Sequence, residues 1–506
     1  VLFRSDVNAA QPDGATALAW ASRWNDLAMA DVLLKAGAKV DAANDLGVTP
    51  LSLAINNRSA EMVEKLLAAK ANANATLWNG ETALMSAAHT GNVAIIKSLL
   101  AHGANVNAVD PRRGHSALMR AIADEHPEAA RALIEAGADV KAKSKMYDQF
   151  TPMVLTSYGS NVQVTSRGGY TPLLFAARTG DIETAKLLLA KGATINDVAP
   201  DEGSALVVAT AAGHEKLAMF LLENGADPNA VDSNGMTALH YTLRDGLKYL
   251  TGISIVKGKK ICGSGSGGRC ISTDNRESLK FLDGGFSPEV KKFMAELEAE
   301  AKGVAKPTTA AAYGYGPPKD EILPGTNMLE LAKALLARGA NPNAQMKESP
   351  ARLRLLRKPN VSLINATPFL LAAASKDVNA MRVLAEARAD RNVVTTSDPK
   401  ELLKTTTGDD NQIQGNGTPL LVAAGLGRND DFSAAETKLA LAAVTTLVEM
   451  GADVNLANDA GWTPLHAASF MGADSVVSYL ISKGAKLSVR NGCGQTPLSL
   501  ADGSDS

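Results

Sequence analysis

A pattern that recurs every 33 or so residues constrains this chain more than any other feature. A Ser or Thr, followed by Pro or Ala and then by Leu or Phe, stands at positions 16, 49, 82, 116, 171, 204, 237, 367, 418, 463 and 496. Short steps between these positions are 33 or 34 residues, and longer steps contain insertions. Such a period is typical of a solenoid, in which each unit packs only on its neighbours. We therefore expect one array of about ten units, rather than the three domains that 506 residues would suggest.

Each unit carries the signals of two helices. Thr49-Pro50 and Thr463-Pro464 place a capping hydroxyl before a proline at the first helical position. Paired leucines close the second helix and are expected to form a continuous core, as in Leu33-Leu34, Leu66-Leu67, Leu99-Leu100, Leu188-Leu189, Leu221-Leu222 and Leu335-Leu336. A glycine suited to left-handed backbone then ends most units. Lys70 and Arg388 stand at that position in two units, which we expect to be locally weaker.

The segment from Asp459 to Ala468, DAGWTPLHAA, resembles a nearly ideal ankyrin repeat. The resemblance implies an all-α repeat fold: an ankyrin solenoid of about ten helix-turn-helix units with β-hairpin fingers, plus insertions. The histidine of the family pattern is kept at His240 and His466, where it is expected to link neighbouring units. The repeats look like those of long bacterial ankyrin proteins, many of which are exported. The resemblance thus favours a periplasmic or exported location, with the cytoplasm as the alternative.

The spacing divides the chain into repeats and insertions. The predicted segments are repeats one to four at 6–144, a finger insertion at 145–168, repeats five and six with the first helix of repeat seven at 169–246, an insertion at 247–327, and the second helix of repeat seven with repeats eight to ten and a partial eleventh at 328–502. Further insertions are predicted near 345–361, 393–412 and 429–437. The large insertion is expected to contain a hairpin arm, a helix from Ser287 to about Lys302 and a Gly/Pro linker. Because the sequence has no starting methionine and both ends lack polar capping repeats, we expect a fragment of a longer protein.

Composition and motifs favour a binding protein over an enzyme. With 51 basic and 53 acidic residues the net charge is −2, which argues against nucleic acid as a partner. The seven histidines lack metal-binding spacing, and no apolar run reaches the roughly 20 residues of a membrane span. Gly263, Gly265 and Gly268 match a dinucleotide fingerprint only formally, because no helix start follows them. We therefore expect no catalytic residue, no metal and no small-molecule cofactor.

Two cysteines flank this glycine-rich loop. The separation of Cys262 from Cys270 permits a disulfide. In an oxidising compartment we expect that bond to staple the inserted arm, whereas in a reducing one both residues would remain thiols.

Candidate partner-binding residues occupy positions that the fold leaves free. In ankyrin proteins the fingertips and the ends of the first helices line a concave groove, so the resemblance places the following residues there: Arg23, Trp24, Trp78, Asn79, Arg112, Arg113, His115, Tyr170, Arg178 and Arg244, with Phe470 and Met471. Tryptophan, tyrosine and arginine are the usual energetic anchors of protein interfaces. One interpretation is a groove that binds a protein across repeats one to five. The other is a set of isolated exposed side chains, with Trp24 covering a terminal repeat.

The sequence thus predicts a non-catalytic protein–protein interaction scaffold whose partner lies in the groove. The alternative is a recognition module of a larger protein whose missing part is catalytic or membrane-bound. Neither interpretation identifies the partner.

Overall fold

Pairs of short helices follow one another at the spacing that the repeats predict. The computed structural model describes residues 6–152, 162–251, 261–262, 270–271, 326–347, 361–396, 416–427, 432–492 and 494–501. The chain forms two bodies, one of residues 1–252 with 325–506 and the other of residues 253–324. All the helix pairs belong to the first body, which is the expected all-α solenoid.

Ten two-helix repeats are recognisable in the part of the chain that the structure describes. Their first helices are Ala17–Arg23, Pro50–Asn56, Ala83–Thr90, Ala117–Ala123, Pro172–Thr179, Ala205–Ala212, Ala238–Thr242, Pro368–Ala374, Pro419–Ala424 and Pro464–Phe470. Their second helices are Leu27–Lys35, Ala60–Ala68, Val93–Ala101, Pro127–Glu135, Ile182–Ala190, Glu215–Glu223, Leu329–Ala337, Val378–Glu386, Ala434–Glu449 and Asp474–Ser482. A further first helix, Pro497–Ala501, follows repeat ten. First helices pack on neighbouring first helices, so successive repeats share one core.

The predicted capping residues set the helix ends. The Thr49 hydroxyl accepts a hydrogen bond from the Ser52 backbone N–H at 3.2 Å, and Pro50 occupies the first turn. Gly37, with φ of 87°, lies in the left-handed region just after its second helix, as expected. Of the paired leucines, Leu66 and Leu67 are fully buried. In contrast, Leu33 and Leu34 are only half-buried, because no described repeat packs on their outer side.

Glycine at positions 70 and 388 should stabilise the fold. Lys70 and Arg388 are exposed and have φ of 68° and 65°, a conformation that costs a residue with a Cβ about 1 kcal/mol. We expect Lys70→Gly and Arg388→Gly each to raise the free energy of unfolding by about 0.5–1 kcal/mol, as measured by urea denaturation. Gly37→Lys makes the opposite change at the same repeat position and should lower it by a similar amount. Equal stability of all three variants would contradict the prediction.

A side-chain amide ties each of several fingers to the next repeat, a contact that the sequence analysis did not predict. The Asn74 Nδ2 donates to the Gly103 carbonyl at 2.9 Å, and its Oδ1 accepts from the Asn105 N–H at 2.8 Å. The same pair of bonds is made by Asn8, Asn107, Asn196, Asn229, Asn343 and Asn455. Lys141 stands at the equivalent position before the finger insertion. A lysine side chain has no hydrogen-bond acceptor and cannot make both bonds. The amide link is therefore missing between this finger and the next repeat.

His240 and His466 link repeats as the family resemblance implies. The Thr237 N–H donates to His240 Nδ1 at 3.1 Å, and His240 Nε2 lies 3.3 Å from the carbonyl of Ala366 in the next repeat. His466 Nε2 likewise lies 3.1 Å from the Gln495 carbonyl. Burial lowers the pKa of both imidazoles, to about 4 for His240. Both rings are therefore neutral near pH 7, with Nε2–H as the donor to the neighbouring repeat.

The finger insertion at 145–168 forms a hairpin. Tyr147–Pro152 pairs antiparallel with Val162–Arg167, with Tyr147 opposite Arg167. A second, short antiparallel pair joins Val198–Ala199 to Gly203–Ser204 in the finger of repeat six. The repeat spacing predicts this insertion but not its strands.

Parts of two predicted insertions are helical. Residues 247–251 belong to an extra helix, Arg244–Thr251, which buries Leu247 and Leu250 and packs on the first helix of repeat eight. Residues 434–437 begin the second helix of repeat nine, which the Ser433 and Glu436 capping box extends to 16 residues. The predicted helix from Ser287, the Gly/Pro linker and the loop at 263–269 lie outside the described residues, as do most residues of the insertions near 345–361 and 393–412.

Candidate functional site on the finger face

The fingers and the first helices present side chains on a common surface, which we call the finger face. It comprises the four residues before each Ser/Thr start and the residues four, seven and eight places after it, except for side chains that are buried, such as Arg244 and Met471. In repeat ten, for example, the Trp462 ring before Thr463 meets the Phe470 ring at 5.7 Å. Most of the predicted binding residues lie on this face or on the adjoining fingertips.

The two predicted tryptophans are exposed. Trp24 is 73% exposed at the end of the first helix of repeat one, and its ring stacks on the Trp20 ring at 6.4 Å. Arg23 lies over the same Trp20 ring at 6.0 Å. Trp78, on the finger of repeat three, is 66% exposed. Next to it, the half-buried Asn79 caps its own turn by accepting a hydrogen bond from the Glu81 N–H at 3.0 Å.

A cluster of aromatic and charged side chains joins repeats four, five and six. The His115 ring meets the Phe175 ring edge-on at 5.5 Å, and the Tyr170 ring meets it at 5.9 Å. Arg178 lies over the Tyr170 ring at 4.9 Å. The structure thus brings together three predicted residues, His115, Tyr170 and Arg178, across a 55-residue step of the repeat pattern.

Two acidic residues complete this cluster, and the sequence analysis missed them. The Tyr170 hydroxyl donates to Asp201 Oδ2 at 2.7 Å, and Arg178 pairs with Glu202. Arg167 stands at the end of the hairpin. Its Nη1 lies 3.7 Å from Glu202 Oε1, and its Nε lies 4.0 Å from Asp201 Oδ2. The available signal was the two adjacent acids three and two residues before the start at Ser204, which follows the start at Thr171 by one period.

Burial shifts the pKa values of the cluster. It raises the pKa of the Tyr170 hydroxyl, so that this group stays protonated and donates. Burial and the neighbouring Glu202 carboxylate raise the pKa of Asp201. Burial also lowers the pKa of His115 to about 4; Arg120, Arg113 and Arg178 act in the same direction and Asp110 in the opposite one. His115 is therefore a neutral ring near pH 7, mainly because it is buried.

Three further predicted residues keep part of their surface in solvent. Arg112 is exposed. Arg113 lies over the Tyr147 ring of the hairpin at 5.0 Å, so the hairpin contacts the finger of repeat four. Phe470 is 41% exposed in repeat ten.

Three predicted groove residues are buried instead. Arg244 is fully buried and donates to the Thr210 and Ala211 carbonyls at 2.7 and 2.6 Å, because the first helix of repeat seven ends early at Thr242 and the chain turns inward. Met471 is 1% exposed and Tyr170 6% exposed. The prediction that Arg244 and Met471 face a partner is wrong, and Tyr170 presents little surface to one.

Few other sites are found in the described ranges. No group of three or more His, Cys, Asp or Glu residues there is placed to hold a metal ion, and no helix there combines the length and apolar character needed to cross a membrane. Cys262 lies opposite Cys270 in the short antiparallel pair of Ile261–Cys262 with Cys270–Ile271. That register agrees with the expected arm, and the disulfide itself stays a prediction.

Comparison with known proteins gives one consistent answer. A model of three ankyrin repeats matches residues 1–77, 59–144 and 432–504, and a model of many ankyrin repeats matches residues 118–189 and 206–246. Together these matches cover more than half of the chain.

Curated relatives match over shorter shares of their own length. The E3 ubiquitin-protein ligase KEG of Arabidopsis thaliana is 27% identical over 328 residues, which are 62% of this chain and 17% of that protein. A putative ankyrin repeat-containing protein of Treponema pallidum is 45% identical over 71 residues, which are 14% of this chain and 24% of that protein. The chain therefore spans less than a quarter of either relative. Among solved structures, the ankyrin repeat domain of Bcl-3 aligns with a TM-score of 0.37 and 27% identity over 45% of this chain and 93% of that one.

Proposed function

This chain belongs to the ankyrin-repeat family, whose repeats generally mediate protein–protein interactions, and from that membership we propose that it binds a protein partner on its finger face. In this proposal the chain is a non-catalytic scaffold, and the described part of the solenoid holds the binding side chains at fixed spacing. The proposed location is periplasmic or exported, with the cytoplasm as the alternative.

The exposure of Trp24 and Trp78 carries the proposal. These are two of only four tryptophans in the chain, and each leaves about two thirds or more of its surface in water, at 73% and 66%. Burying a tryptophan ring against a partner removes a large apolar area from water, and truncation of such an anchor typically weakens binding by about 2 kcal/mol or more. Neither ring is needed to fill the core between repeats.

A second candidate is a recognition module within a longer protein whose other part is catalytic or membrane-bound. The observation that favours it is the length of the relatives, since this chain matches 17% of a protein named as an E3 ubiquitin ligase. In both cases the repeats themselves bind and do not catalyse.

Photo-crosslinking in the native host tests the proposal. We expect benzoyl-phenylalanine at position 24 or 78 to capture the same partner, because both positions belong to one binding surface. The matched control is position 32, where Val32 is 61% exposed but lies on a second helix. The combined Trp24→Ala and Trp78→Ala variant should weaken recovery of that partner at least about tenfold, while circular dichroism shows an unchanged helix content. Equal capture at position 32, or full recovery by the double variant, would contradict the proposal.

A further inference from the structure

Arg120 is a cation on the finger face with unused hydrogen-bonding capacity. It lies in the first helix of repeat four, four places after Ser116, at the position that Trp20 and Phe175 occupy in repeats one and five. Its residue surface is half-buried, and its Nε is enclosed without a hydrogen-bond partner. Within the part of the chain that the structure describes, its guanidinium forms neither a hydrogen bond nor an ion pair. A guanidinium stays charged and carries five donors, so a partner acceptor is the missing element.

Three carboxylates of repeats three to six have partners of their own. Asp110 accepts hydrogen bonds from the N–H groups of its own turn, including those of Arg113 and His115, both at 2.7 Å. Glu81 accepts from the Ser86 hydroxyl at 3.2 Å. Glu202 pairs with Arg178 and with Arg167 of the hairpin.

Three arginines act on the His115 ring beside Arg120, against one carboxylate, that of Asp110. Arg113, Arg120 and Arg178 all act on the His115 ring and help to keep it neutral. Of these three arginines, Arg178 pairs with Glu202 and Arg113 lies over the Tyr147 ring, so Arg120 is the guanidinium best placed to meet an anion from a partner.

We call Arg113, His115, Arg120 and Arg178 together the patch. The inserted hairpin stiffens this patch from both sides. At one side the Tyr147 ring lies beneath Arg113 at 5.0 Å, and at the other Arg167 lies beside Asp201 and Glu202. Tyr147 and Arg167 are paired with each other at the base of the hairpin. Side chains held in place before binding lose less conformational entropy when a partner arrives.

We propose that this patch binds an acidic segment of a protein partner and that an aspartate or glutamate carboxylate of that segment is the counter-ion of Arg120. The inference rests on the proposed function and adds the chemistry of the partner to it. Guanidinium and carboxylate form charge-assisted hydrogen bonds, and the buried Phe175 and Tyr170 rings beside the patch limit competition from water.

A random 12-residue peptide library displayed on phage provides the test. Peptides selected on the wild-type protein should be enriched in Asp and Glu, and their affinity, measured by fluorescence anisotropy with synthetic copies, should fall about tenfold or more in Arg120→Gln. Arg120→Lys keeps the charge and should lose less. The matched control is Arg382→Gln, an exposed arginine on a second helix, which should leave the affinity unchanged.

The outcomes separate this inference from the proposed function. Selected peptides without acidic residues, or equal affinity for wild type and Arg120→Gln, would overturn the inference. If such peptides still lose binding in the Trp24→Ala and Trp78→Ala variant, the finger face remains the binding surface. Peptides insensitive to all of these changes would overturn both.

Discussion

Arg244→Ala is expected to lower the free energy of unfolding by about 3 kcal/mol, because it removes a buried side chain and two hydrogen bonds at once. The Arg244 guanidinium donates to the Thr210 and Ala211 carbonyls at 2.7 and 2.6 Å. Those carbonyls end the helix Ala205–Ala212, where the helix dipole favours a positive charge. Without the arginine, both carbonyls lose a donor, and that of Thr210 loses it in a buried place. Urea denaturation measures the loss.

The repeat supplies a matched control for this change. Arg23 stands seven places after its Thr start, as Arg244 does, but it is exposed, and its guanidinium lies over the Trp20 ring at 6.0 Å. Arg23→Ala should therefore change stability by less than about 0.5 kcal/mol. Arg244→Lys should be intermediate, because a single ammonium does not match two carbonyls as a guanidinium does. Equal effects of Arg23→Ala and Arg244→Ala would show that Arg244 is not a structural residue.

The helices and their ends could be predicted from the sequence because their signals are local. Thr49 caps its own helix, Gly37 relieves strain at its own position, and His466 bonds within its own capping box before it reaches the next repeat. A Ser or Thr precedes the first helix of each of the ten described repeats, and the glycine ends most of them. A period, two caps and a glycine are therefore enough to position most of the solenoid.

The candidate site could be predicted only in part, because it depends on contacts between repeats. Position alone indicated that Trp24 and Trp78 are exposed, and both are. Position alone gave a wrong prediction for Arg244, since no sequence signal indicates that the preceding helix ends at Thr242. Arg120 was missed for a related reason. Its significance depends on the neighbouring acids having other partners, which only the structure shows.

Gly246 marks the tightest approach between the extra helix Arg244–Thr251 and the first helix of repeat eight. A Cβ at position 246 would lie 2.0 Å from the Leu371 carbonyl oxygen and 2.7 Å from its carbonyl carbon. These are backbone atoms in the middle of the helix Pro368–Ala374, so a change of rotamer cannot move them away from the new Cβ. Gly246→Ala must therefore separate the two helices, and we expect a loss of about 3 kcal/mol, at the upper end of the cost of overpacking.

Hydrogen exchange should locate this damage. Separation of the helices exposes Leu247 and Leu250, both now buried, so protection should fall in residues 244–251 and 368–374. Repeats one to five should keep their protection, because each repeat of a solenoid contacts only its neighbours. Gly103→Ala is the control: a Cβ there meets no atom within 4 Å, and only its φ of 85° opposes the change, at a cost of about 1 kcal/mol. If Gly246→Ala proves no more costly than Gly103→Ala, close backbone packing does not hold the extra helix in place. If Gly246→Ala lowers the free energy of unfolding while peptide binding at repeats three to six persists, the extra helix stabilises the solenoid without forming part of the binding surface.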